Sequence, residues 1–241
     1  MAYSTARLYS SPGRDSGSPV AGSITQAAPP PPPSQPGPPP PPDSGVSEPG
    51  AGVEDVFGDF DEVASVHEPG VRALFEQGVL DGVGCGAGLL CPAASVTRWE
   101  FAVMVVRVLD GGDPGPLTRS RFADTDRDLW WARHVERLAE LGATVGCRIG
   151  PLRYCPDDPL TRAQTASMLV RAFDLDRAVE PAGFTDIAGS VHADDIDALY
   201  AAGITNGCRS EPLRFCPQQS TTRAEAATLL HRRIISAGSR P

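Results

Sequence analysis

The sequence predicts a mainly α-helical protein: three tandem helix–loop–helix repeats behind a disordered, proline-rich spacer. Three observations carry this. A short phrase, cysteine-proline followed by Thr-Arg-x-Glu or Gln, occurs three times: Cys91-Pro92 leads to Thr97-Arg98-Trp99-Glu100, Cys155-Pro156 to Thr161-Arg162-Ala163-Gln164, and Cys216-Pro217 to Thr222-Arg223-Ala224-Glu225. Its period of about 61–64 residues means one small unit used three times. Apolar residues flank each phrase at helical spacing. The first 52 residues are rich in Ser, Gly and Pro, with proline runs at Pro29–Pro33 and Pro38–Pro42.

The elements follow in order. Residues 1–52 form the spacer, because proline lacks the backbone donor and favours polyproline II. Repeat 1 spans 53–112, repeat 2 spans 118–176 and repeat 3 spans 180–236. The first helix of repeat 1 runs from about Glu68 to Gln77, with Val71, Leu74 and Phe75 on one face and Gly78 as its stop. Repeat 2 offers Trp131, Val135 and Leu138, stopping at Gly142. Repeat 3 offers His192, Ile196, Leu199 and Tyr200, stopping at Gly203. A glycine just past the last turn takes the left-handed conformation that ends a helix. A cysteine-bounded loop follows, with room for a small hairpin.

The second helix of each repeat opens with a capping box. Thr97, Thr161 and Thr222 sit three residues before Glu100, Gln164 and Glu225, so hydroxyl and N3 side chain can satisfy one another's amides. One apolar face follows: Ala102, Val105, Val106 and Leu109; Ala166, Leu169, Val170 and Phe173; Ala227, Leu230, His231 and Ile234. One helix pair cannot bury such a stripe alone, but three repeats can bury theirs together.

Charge and cysteine content narrow the function classes. The formal net charge is −9, and all 21 basic residues are arginine. No basic stripe marks a nucleic-acid footprint, and no apolar run spans a bilayer. Six cysteines fall into local pairs, Cys85/Cys91, Cys147/Cys155 and Cys208/Cys216. Even pairing at matching places reads as three disulfides in an oxidising compartment. The competing zinc reading has neither a usual ligand spacing nor a histidine pair. Export sits against the start of the chain, since Met1 to Ala28 lacks a signal peptide's apolar core. No catalytic motif, metal site or cofactor is indicated; Asp124–Asp128 lacks the glycine and terminal glutamate of a calcium loop.

Arg98, Arg162 and Arg223 are the most informative polar positions. Each occupies the first turn of a helix, where the dipole disfavours a cation by several tenths of a kcal/mol, about 0.3–1. Two compensations fit: a bound anion held by guanidinium and helix terminus together, or an internal partner such as Asp59, Asp124 or Asp186. A second aligned set, His67, Trp131 and His192, could stack on a sugar or pack locally.

The repeats resemble S-layer homology (SLH) domains. The resemblance rests on Phe122-Ala123-Asp124, Trp131, Gly142…Gly146, Tyr154-Cys155-Pro156 and Leu160-Thr161-Arg162-Ala163-Gln164 in repeat 2. Repeat 3 supplies Phe184-Thr185-Asp186, Gly203-Ile204…Gly207, Phe215-Cys216-Pro217 and Thr221–Glu225. In repeat 1 the start falls at Phe57-Gly58-Asp59 or Phe60-Asp61, and Trp99 stands where alanine is usual. The cysteine-paired loop is similar to repeats in secreted proteins of high-GC Gram-positive bacteria. The resemblance implies a pseudo-threefold unit with the second helices at its centre. It also implies a non-catalytic, extracellular cell-wall attachment module that binds an acidic secondary wall polysaccharide in grooves between repeats. Arg98, Arg162 and Arg223 would contact the sugar, with Trp131, His67 and His192 beside them; the better-matched repeats favour Arg162 and Arg223. The alternatives are an extracellular protein-interaction or structural module, and the accessory tail of a secreted enzyme.

Overall fold

The computed structural model describes residues 52–86 and 88–238; apart from Gly52, the expected spacer lies outside the described residues. A short helix α1 (Val53–Val56) and a 3-10 turn (Phe60–Glu62) lead into α2 (Glu68–Glu76), and α3 (Arg98–Asp110) follows the first loop. The second helix pair is α4 (Ala132–Glu140) and α5 (Arg162–Ala172). The third is α6 (Ala193–Ala201) and α7 (Arg223–Gly238), with a two-stranded hairpin between them, β1 (Arg209–Ser210) and β2 (Leu213–Arg214). The protein is mainly helical, as the sequence predicts. Among the described residues no helix is long and apolar enough to cross a membrane.

Local signals set the helix ends. Gly78, Gly142 and Gly203 follow α2, α4 and α6 with φ of 68°, 70° and 71°, so each helix stops in the left-handed turn that glycine takes without strain. All three capping boxes form. The Glu100, Gln164 and Glu225 amides donate to the Thr97, Thr161 and Thr222 hydroxyls, and each N3 side chain accepts from the threonine amide.

The helix pairs join in a closed order. α3 packs against α4, α5 against α6, and α7 returns to α2. Gly70 lets that last pair approach, because a Cβ there would lie 2.9 Å from the Thr228 Cα. The segments before the capping threonines close a matching ring of backbone hydrogen bonds. Val96 N–H donates to Thr221 O, Thr221 N–H to Leu160 O, and Leu160 N–H to Val96 O, at 2.9–3.2 Å. Three non-adjacent stretches of chain thus satisfy one another's peptide groups, as buried backbone requires.

This closure buries more than one stripe per helix. Every residue of α3 from Arg98 to Arg107 is buried, and α5 is buried at nine of its eleven positions. A helix enclosed by neighbours needs apolar or small residues all round, hence the Ala, Thr and Ser at Ala163, Thr165 and Ser167. The outer helices keep one face: Val71 and Leu74 of α2 are fully buried, contributing about 1.5–3 kcal/mol each relative to exposure. Tyr200, placed on the α6 stripe by periodicity, is 38% exposed and meets Phe184 edge-on, with ring centroids 5.3 Å apart.

Candidate ligand site

Each site begins with a rigid loop. Disulfides join Cys85 to Cys91, Cys147 to Cys155 and Cys208 to Cys216, each within its own repeat, with Cα atoms 5.9–6.0 Å apart. Cys91, Cys155 and Cys216 stand at positive φ, 49–58°, a conformation that costs a non-glycine residue about 1–2 kcal/mol. A carboxylate holds each one there. Asp59 accepts the amides of Leu90 and Cys91, Asp124 those of Tyr154 and Cys155, and Asp186 those of Phe215 and Cys216, at 2.6–2.9 Å. Repeat 1 therefore starts at Phe57-Gly58-Asp59, not Phe60-Asp61. The glycine before the first cysteine is a close-approach position: a Cβ on Gly146 would lie 2.3 Å from the Arg153 carbonyl.

These loops occupy the helix N-termini of neighbouring repeats. Arg98 N–H donates to Asp158 O and Trp99 N–H to Pro156 O. Arg162 and Ala163 donate to Gln219 and Pro217, and Arg223 and Ala224 to Ala94 and Pro92. With the third amide on the capping threonine, the first-turn donors of α3, α5 and α7 all have protein partners. An anion at this place meets the guanidinium groups, not the helix ends.

The three arginines are buried, at 7–8% exposure, and their partners differ. Arg223 Nε donates to Glu100 Oε1 at 2.8 Å, and that carboxylate is 1% exposed. Arg162 donates from Nε to Phe215 O and from Nη1 to Glu225 Oε1 at 3.0 Å. These two arginines thus pair with the capping glutamate of the next repeat in the ring. The same step from Arg98 leads to Gln164, which is neutral. Arg98 instead donates from Nε to Tyr154 O at 2.7 Å and from Nη2 to Thr144 Oγ1 at 3.5 Å, and lies over the Tyr154 ring, 4.7 Å from its centre. Among the described residues no carboxylate is within ion-pair distance of Arg98. Burial pushes the Tyr154 phenol up to about 12, against a smaller opposing pull from Arg98; its hydroxyl donates to Arg98 O at 2.8 Å.

The aspartates offered as internal partners therefore have another role, clamping the left-handed cysteines. Arg pairs with Glu through a ring closure that connects positions 63 and 123 residues apart. The sequence carried the glutamates as capping residues; the offset pairing was the missing piece.

The aligned aromatic and imidazole set divides. His67 Nδ1 lies 2.7 Å from Thr228 Oγ1, and His192 Nδ1 lies 2.7 Å from Ser167 Oγ. In the matching place on α3 stands Val103, which has no hydroxyl, and there the partner residue is Trp131. Its ring is 2% exposed and stacks on Trp99 with centroids 5.7 Å apart. All three thus tie a first helix to the second helix it packs against. Burial pushes the His67 imidazole below its ordinary value, with Glu225 opposing and Arg232 adding to the fall.

A second polar hub joins repeats 1 and 2. Asp113 accepts from Arg107 Nε at 2.6 Å, Arg133 Nη2 at 2.7 Å and lies 3.0 Å from His134 Nε2. Burial opposes its ionisation, but His134 and Arg107 together hold its carboxyl well below the usual range. His134 is fully buried, and desolvation pushes it down despite Asp113. Beside this hub lies a cleft of about 280 Å³ lined by Leu117, Arg127, Trp130 and Arg133.

The fold and loops define a disulfide-bearing module of three helical repeats with motif arginines at the joints. No protein-family model matches the chain. Among curated proteins, it is 28% identical to an endoglucanase of Bacillus sp. (strain KSM-635) over 67% of this chain and 17% of that protein. It is 24% identical to the surface-layer 125 kDa protein of Lysinibacillus sphaericus over 76% of this chain and 15% of the relative. It is 28% identical to the cellulosome-anchoring protein of Acetivibrio thermocellus over 63% and 34%. The chain spans between about one seventh and one third of these relatives' lengths. Relatives named S-layer protein of Bacillus licheniformis and S-layer-related protein of Niallia circulans, with the surface-layer protein above, support an S-layer homology domain in this chain.

Proposed function

We propose that this chain is a non-catalytic cell-wall attachment module, working at the cell surface, whose three repeats (53–112, 118–176 and 180–236) hold an acidic wall polysaccharide at the joint between repeats 1 and 2. The observation that carries this is Arg98: a buried guanidinium whose protein partners are all neutral. A buried cation is costly without a counter-charge, and a carboxylate or similar acidic group of a sugar supplies one. The sequence alone favours Arg162 and Arg223, but Glu225 and Glu100 already neutralise those two. The names of the anchoring and surface-layer relatives support attachment. The enzyme-named relative is matched over a small part of its length, which suits a shared accessory region.

The test is a pull-down with purified wall sacculi. Arg98→Ala should weaken binding about tenfold to a hundredfold, the worth of a charge-assisted bidentate contact of about 1.5–3 kcal/mol. Arg98→Lys should restore part of it, because lysine keeps the charge but not the planar fork. Gln164→Glu should also weaken binding, since its carboxylate would occupy the guanidinium as Glu225 and Glu100 do in the other repeats. Undiminished binding by both Arg98→Ala and Gln164→Glu would overturn the assignment. A second reading, a protein-interaction or structural module that has kept the fold without the sugar, is favoured by the internal pairing of Arg162 and Arg223. It predicts no sacculus binding by the parent chain.

A further inference from the structure

The disulfide hairpins of repeats 2 and 3 carry an arrangement that a hairpin does not choose for its own stability. Arg148 pairs directly with Arg153 across the second loop, and Arg209 with Arg214 across the third. Like charges directly opposite on an antiparallel pair are destabilising. The chain has 30 acidic residues to 21 basic ones, so opposite charge was abundant for these places. Repeat 1 has Gly86 opposite Leu89 instead.

The two hairpins are not equal. Arg214 Nε lies 3.4 Å from Asp186 Oδ2, and Glu211 stands in the same turn. The repeat 2 turn, Ile149-Gly150-Pro151-Leu152, carries no charge, and among the described residues neither Arg148 nor Arg153 has an ion-pair partner. Asp124, which stands where Asp186 stands in repeat 3, accepts the Tyr154 and Cys155 amides. The backbone beneath is fixed by the Cys147–Cys155 bridge and by Cys147 N–H donating to Arg153 O at 2.8 Å. The two arginines are therefore paired directly across a rigid, disulfide-bridged frame, Arg148 exposed and Arg153 half-buried.

We propose that Arg148 and Arg153 form an oxyanion fork for a phosphate group of a phosphorylated glycan, with Arg209 and Arg214 as a weaker second contact. Two guanidiniums present several N–H donors to one tetrahedral anion, and phosphate carries enough charge and acceptor oxygens to engage both. A lipid headgroup offers the same chemistry. The glycan is favoured because the hairpin adds one exposed aliphatic residue, Ile149, and no aromatic anchor to enter a bilayer. The site is separate from the Arg98 joint and does not depend on it.

The test uses the full chain and three probes: long-chain sodium polyphosphate, sodium polygalacturonate and phosphatidylglycerol vesicles. Polyphosphate should bind with a steep salt dependence. Arg148→Gln with Arg153→Gln should weaken it about a hundredfold, roughly tenfold per arginine, and Arg209→Gln with Arg214→Gln should weaken it less. The unliganded Arg148/Arg153 double variant should melt no lower than the parent, since repulsion is removed, and should lose the melting-point rise that polyphosphate gives the parent. Arg98→Ala should leave polyphosphate binding intact, so failure here is distinct from failure of the wall-attachment reading. Unchanged polyphosphate binding by the Arg148/Arg153 variant would overturn the fork. Equal binding of polygalacturonate would overturn the phosphate assignment, and binding to vesicles but not to polyphosphate would overturn the glycan source.

Discussion

Replacing each motif arginine by alanine in turn should destabilise the fold in the order Arg223, then Arg162, then Arg98. The structure sets the magnitudes. Removing Arg223 leaves Glu100, 1% exposed, with the Thr97 amide and hydroxyl and the Gly84 amide but no cation. Breaking a buried pair on one side costs about 3–5 kcal/mol; the surviving hydrogen bonds place this one near the lower figure. Removing Arg162 leaves Glu225 29% exposed, where water takes over much of the lost interaction, so about 1–2 kcal/mol is expected. Removing Arg98 orphans no charge. It costs the hydrogen bond to Tyr154 O and the stacking on that ring, again about 1–2 kcal/mol, offset by relief of an uncompensated cation. For a folded part of this size, 1 kcal/mol moves the melting point by about 2–4 °C. Arg223→Ala should therefore fall by about 6–12 °C and Arg98→Ala by only a few. Thermal unfolding followed by circular dichroism reads all three. A melting point for Arg98→Ala below that of Arg223→Ala would refute the account, because it would mean that the carboxylate partners do not decide the cost.

Stability should fall as pH drops from 7 to 5, because His134 and His67 titrate below the ordinary 6.5 when folded and the unfolded chain then binds the extra protons; His134→Gln should flatten that slope in melts across this range. Asp113, depressed below 3.8, adds a stabilisation present above that value and lost as pH falls further, so acid unfolding should begin earlier in Asp113→Asn. Gly146→Ala should abolish or sharply lower the thermal transition, since its φ of 86° and the 2.3 Å approach to Arg153 O admit no Cβ; a normal melt would contradict it. Deleting residues 180–241 should unfold or aggregate the remainder, because α2 loses α7; a sharp transition near the parent temperature would show that the repeats stand alone.

The local structure of this protein is written in short-range chemistry. The three capping boxes, the glycine stops at Gly78, Gly142 and Gly203 and the cysteine pairing within each repeat involve residues a few positions apart, where spacing alone fixes what can meet. The roles of the motif arginines were not legible in that way. Thr-Arg-x-Glu shows a cation two residues from an anion, but those two side chains do not pair. Arg162 meets Glu225 and Arg223 meets Glu100 because the repeats close on one another through the Val96, Thr221 and Leu160 ring. That closure turns Gln164, a minor departure from the motif, into the reason Arg98 stands without a carboxylate. It also encloses α3 and α5 on nearly all sides, where periodicity shows only one apolar face. Sequence periodicity reports how a helix could amphipathically face one neighbour; how many neighbours surround it, and which repeat's glutamate comes within reach, depends on contacts more than sixty residues apart.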